Sequence, residues 1–191
     1  MNADLVSFLF LAQEPGVVGD AVAHGHGPET LGEAIWQGSW ILFFVLLNAF
    51  FVAAEFAIVK VRTSQIVGLV ETGSKRAATA RAVTEHLDAY LSATQLGITL
   101  ASLALGWLGE PFVAGLLEPF LTWAFGGTVS GTVLTTVSVA VGFMVITFLH
   151  VVLGELMPKS LAIRRSLGTT LWLAGPLKVF YFVFKLPIFL L

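Results

Sequence analysis

Three apolar stretches of this sequence carry oxygen-bearing side chains at helical spacing, an arrangement that suits a hard cation. In the first, Asn48, Val52 and Glu55 fall at i, i+4 and i+7, one stripe of a helix. In the second, Ser92, Gln95, Thr99 and Ser102 recur at i, i+3, i+7 and i+10. Thr94 lies beside that stripe, and Gly97 opens the backbone. The third stretch places Thr147, His150 and Gly154 at i, i+3 and i+7, with Glu155 adjoining and Pro158 shortly after. A proline cannot donate the helical bond to the carbonyl four residues back, so Pro158 frees the oxygen of Gly154. A carbonyl and a carboxylate are thus available at one kink, as in the broken helices by which transporters hold cations.

Each feature also has a plainer explanation. Glu55 can pair with a nearby base or cap a neighbouring helix, although an acid inside a span calls for a use or a partner. The hydroxyl stripe of the second stretch, taken alone, reads better as small-residue packing between membrane helices. A lone histidine such as His150 is more often a hydrogen-bonded packing residue than a ligand. His24 and His26 form a short H-x-H that reads as ordinary loop.

The elements that must position these residues are membrane spans. The chain of 191 residues is 57% hydrophobic and 12% charged, about half the charged fraction of a soluble domain. Mean hydropathy is +0.89. A net charge of −2 implies no nucleic-acid surface, and the lack of cysteine excludes thiolate metal sites and thiol catalysis. The segment VSFLFLA near the start is too short to span and lacks a preceding basic region, which argues against a cleaved signal peptide.

The predicted fold is an all-α integral membrane protein, with three transmembrane helices plus juxtamembrane and interfacial helices. Residues 1–35 form a polar extracytoplasmic segment without Lys or Arg. Residues 36–166 form the membrane domain, with spans at about 36–61, 87–109 and 133–157. Glu110-Pro111 marks the exit of the second span, the apolar residues after it lie at the outer surface, and GGTVSG is a loop. Gly73 separates two short helices in the basic connector that follows the first span. The helix of the third span ends or kinks before Pro158.

Residues 167–191 read as an interfacial tail rather than a fourth span, because Pro176 and Pro187 interrupt it and Lys178 and Lys185 share a helical face. The apolar ending leads to the expectation that a soluble continuation follows in a longer protein. Basic residues cluster after spans one and three, which places the amino terminus outside.

The stretches LNAFFVAAEFAIVKVR, YLSATQLGITLASLALGWLGEP and FLHVVLGELMPKSLA, in that order, resemble the CorC/CNNM (cyclin M) magnesium transporters, whose bacterial members are also labelled hemolysin-like. They span about Leu47 to Ile163. The resemblance implies a homodimer of three-span protomers in the lipid bilayer of a bacterial or archaeal plasma membrane. It also implies following cytoplasmic CBS domains that bind ATP, a dehydrated Mg2+ held between the helices and exported, and Na+ as counter-ion. Carried over by residue, the metal site draws on Asn48 and Glu55 of span one, with Val52 between them. Span two supplies Ser92, Thr94, Gln95, Gly97 and Thr99, and span three supplies Gly154 and Glu155. Relatives place a small hydroxyl residue near Val52, which itself offers no ligand oxygen.

The resulting expectation is a non-enzymatic divalent-cation transporter. One rival is a membrane-anchored ion sensor or scaffold without transport. A distant third is an intramembrane hydrolase using His150 with a span-two serine, for which the sequence offers no motif.

Overall fold

A computed structural model describes Pro28, residues 30–125 and residues 130–190. Helix α1 covers Leu31–Lys60, α2 Thr63–Glu71, α3 Lys75–Glu85 and α4 Leu87–Phe125. Helix α5, Gly131–Leu149, continues through a π-helical stretch, His150–Leu156, into α6, Met157–Arg164. The tail forms α7, Ser166–Val183, and α8, Lys185–Leu190. The described chain is all-helical, as predicted, and three of its helical runs are long and apolar enough to cross a membrane. They are Leu31–Lys60, Leu87–Phe125 and Gly131–Arg164.

Several boundaries differ from the sequence reading. Residues 31–35, assigned to the polar amino segment, already belong to α1. Helix α4 does not end at Glu110-Pro111: it runs through both Pro111 and Pro119. Prolines are tolerated inside membrane helices, where leaving the helix would strand many more backbone groups than the one carbonyl each proline frees. Pro176 likewise lies inside α7, and the tail breaks at Phe184 instead. The H-x-H pair and most of the GGTVSG loop lie outside the described residues.

The connector follows the sequence closely. Gly73 adopts φ +83°, a left-handed conformation open to glycine at little cost, and so turns the chain between α2 and α3. Ser74 then caps α3, its hydroxyl accepting from the Ala77 N–H at 3.3 Å.

The chain divides into two units. One comprises residues 1–38 and 109–144. Within it the end of α4 and α5 come close: a Cβ on Gly142 would lie 2.9 Å from the Ala114 nitrogen. This is the small-residue approach by which membrane helices pack.

The other unit comprises residues 39–108 and 145–191 and contains every candidate site residue. Its core joins Phe51, Ala54 and Ile58 of α1 to Ile66, Ala80, Val83 and Tyr90 of the following helices. Ala174 and Leu177 of α7 complete it, so the tail helix is a packed structural member and not a loose appendage. A second contact sets Ala53 and Ala57 of α1 against Ala162 of α6. Together the two contacts fix the part of α1 that carries Asn48 to Glu55.

Candidate cation site

Asn48 is the anchor of the site. It is buried, 1% exposed, at the middle of α1. Its side-chain nitrogen donates to the carbonyl of Gly154 at 3.0 Å, across 106 residues of sequence. Pro158, four residues on, has no N–H to give this oxygen an α-helical bond. From sequence alone this oxygen is bare; the structure supplies it with the Asn48 amide. Gly154 is required for that approach, since a Cβ there would lie 2.9 Å from His150 Cδ2 and 3.1 Å from Asn48 Nδ2. The helix, expected to end or kink before Pro158, continues through the π-helical stretch His150–Leu156 into α6. Such stretches are rare and are frequently found at functional sites.

Two further side chains extend the contact. Ser102 Oγ donates to Asn48 Oδ1 at 3.3 Å and lies 3.4 Å from His150 Nε2. Segments of all three spans thereby meet through side chains. Four other hydroxyls of α4 and α5 behave differently. Ser92 bonds to the Asp88 carbonyl, Thr94 to Leu91, Thr99 to Gln95 and Ser138 to Leu134, each within its own helix.

The direction of the chain follows from one group. A carbonyl only accepts, so the end of Asn48 that faces Gly154 is the NH2. Asn48 Oδ1 therefore faces Ser102, which commits its single hydroxyl proton there. Ser102 can then accept from His150 when the imidazole is in the tautomer with a hydrogen on Nε2. The chain runs from His150 to Ser102 to Asn48 to the Gly154 oxygen.

The remaining candidates are distributed unevenly. Thr94 is fully buried and Ser92 half-buried, both with their hydroxyls turned to their own helix. Gln95 and Thr99 are exposed on the protomer, as is Glu155. Gly97 does not open onto a cavity. Its missing side chain is replaced by the Phe51 ring, 2.5 Å from where a Cβ would stand. Glu55 is half-buried, and the charge of Lys159 bears on it. The Lys159 ammonium rests 4.4 Å from the centre of the Phe56 ring. Among the described residues neither Glu55 nor Glu155 forms an ion pair, and no three His, Cys, Asp or Glu side chains cluster as a metal site. A cation here would depend on neutral oxygens more than on charge.

Ser102 was visible in the sequence as the last member of its stripe, and His150 as a polar residue one turn before Gly154. Neither entered the metal set. The signal that joins them is three-dimensional: the register between α4 and the π-helical stretch.

The family model described as Cyclin M transmembrane N-terminal domain, CNNM, matches residues 40–191. The chain belongs to the CNNM family. Among its relatives are the UPF0053 proteins YhdT and YugS of Bacillus subtilis, 54% and 48% identical over 138 and 143 residues. Those matches cover 72% and 74% of this chain but 29% and 33% of the relatives. The uncharacterized protein Rv1841c of Mycobacterium tuberculosis is 39% identical over 133 residues, 70% of this chain and 36% of that protein. This CNNM chain thus spans about a third of the length of these relatives. It is a multi-pass membrane protein of the CorC/CNNM kind.

Proposed function

We propose that this CNNM domain binds Mg2+ between its three spans and moves it across the membrane, in the direction of export and in exchange for Na+. The observation that carries the reading is the junction at Gly154: a carbonyl to which Pro158 cannot donate, in a π-helical stretch, reached by Asn48 of the first span, which in turn accepts from Ser102 of the second. Mg2+ prefers octahedral oxygen ligands and gives up its water reluctantly. Rigidly held neutral oxygens, with Glu55 and Glu155 contributing negative charge nearby, are suited to replacing part of that water.

In this reading Asn48 and Gly154 form the centre of the site. Ser92, Thr94, Gln95 and Thr99 contribute oxygens along the ion's path, while Gly97 serves by packing. The amino terminus lies outside, and the domain works as a homodimer in a bacterial or archaeal plasma membrane. The longer protein continues into cytoplasmic CBS domains. The rival reading, an ion sensor or scaffold, shares the site and differs only in flux.

The Ser102–His150 contact revives the hydrolase alternative, because a nucleophile must lie against its base. The direction of the chain argues against it. With its proton directed to Asn48 Oδ1, Ser102 does not offer it to His150.

Liposome flux measurements test the proposal. Wild-type protein should move Mg2+ down an imposed gradient, faster with opposing Na+, and the double variant Glu55→Gln, Glu155→Gln should be slowed at least tenfold. Mg2+-dependent thermal stabilisation without flux would leave the sensor reading standing. Flux unchanged in the double variant would contradict the role given to the acids.

A further inference from the structure

We infer that Ser102 and His150 are positioning residues of the cation site. They hold Asn48 in one orientation and, through it, the Gly154 carbonyl. The inference rests on the Mg2+ reading above for its functional part, while the hydrogen-bond chain itself is testable without any ion.

An asparagine side chain is nearly symmetric in shape, and nothing in its packing alone tells the oxygen end from the nitrogen end. Asn48 is 1% exposed, so water does not decide the matter either. Two neighbours decide it. The Gly154 oxygen demands a donor, and Ser102 can satisfy Asn48 Oδ1 only while it donates. A serine hydroxyl rotates freely and could turn its proton toward His150 instead. With His150 in its Nε2–H tautomer that choice is blocked, because two donors cannot face each other. The histidine thus sets the serine, the serine sets the amide, and the amide sets the carbonyl.

The result matters for a cation in two ways. A carbonyl and an amide oxygen each have two lone pairs, and the chain uses one on Gly154 and one on Asn48 Oδ1. The chain itself makes no use of the second lone pair of either oxygen. Both oxygens are also fixed before the ion arrives, so little rearrangement opposes binding. Partners that orient a metal's ligands typically alter affinity by roughly 10–100-fold when removed.

The test uses four single variants and one double variant, Ser102→Ala with His150→Leu, in the whole chain. Ser102→Ala and His150→Leu break the chain. Ser102→Thr keeps the hydroxyl, and His150→Gln keeps an N–H at about the reach of Nε2.

The first readout is melting temperature in Mg2+-free detergent. Ser102→Ala and His150→Leu should each lower it, and the double variant should melt little below the worse single. Additive losses would overturn the chain. Nitrogen-15 NMR of labelled histidine should show His150 protonated at Nε2, and a bare Nε2 would also overturn it.

The second readout is the Mg2+ concentration for half-maximal stabilisation and half-maximal flux. It should rise roughly 10–100-fold in Ser102→Ala and His150→Leu and return to within a few-fold of wild type in Ser102→Thr and His150→Gln. Maximal flux should change much less. Coupled melting temperatures with unaltered half-saturation would overturn the positioning role and leave a structural one. If the wild type itself shows no response to Mg2+, the transport reading fails, while the melting and NMR results still judge the chain.

Discussion

At the scale of single residues, the site depends on an atom that is missing. Gly154 carries no Cβ, and the space is occupied by the edge of His150 and the amide of Asn48. Gly154→Ala should destabilise the protein by about 1–3 kcal/mol, the usual cost of overpacking a close contact. It should also weaken Mg2+ stabilisation more than melting temperature alone accounts for, a comparison that one thermal-shift titration provides. The sequence exposed half of this. Pro158 four residues after Gly154 announces a freed carbonyl, because that inference needs only the chemistry of proline. The donor that takes it comes from 106 residues away. No local pattern could identify Asn48 as that donor, although its burial on a membrane helix already required a partner for it.

At the scale of elements, the same kind of residue does two different jobs. Gly97 and Gly154 both looked like openings for a ligand, yet the Phe51 ring lies where a Gly97 side chain would be. That ring also meets Phe50 and Phe180 edge-on, with centroids 5.0 and 4.6 Å away, so it links α1 to α7. Gly97→Ala should therefore melt about 1–3 kcal/mol less stably. Adding Phe51→Leu should restore part of the loss, with Mg2+ half-saturation unchanged throughout. A Mg2+ defect in Gly97→Ala that Phe51→Leu leaves in place would return Gly97 to the ligand set. The helices of the connector were legible because Gly73 and Ser74 are local signals. The length of α4 was not, since proline's effect depends on whether water or lipid surrounds the helix.

At the scale of the molecule, charge is segregated along the chain. All ten Lys and Arg lie between Lys60 and Lys185, and none occurs in 1–59 or 82–158. Single cysteines, introduced into this cysteine-free chain at Ser130 and at Ser74, should report opposite sides of the membrane to an impermeant thiol reagent. Ser130 should react from outside and Ser74 only after permeabilisation; the reverse pattern would invert the topology. One last consequence lies in the π-helical stretch His150–Leu156. Its wider turns take about one residue more than an α-helix needs over the same rise. A one-residue deletion, such as loss of Val151, would let the segment relax to ordinary pitch with little twist passed to Ala162 and the helices beyond. Such a protein should still insert, fold and keep its family resemblance, yet respond to no Mg2+ in a thermal-shift assay. The extra residue is then a removable insertion that separates a membrane scaffold from an ion-handling one, and the two are a single codon apart.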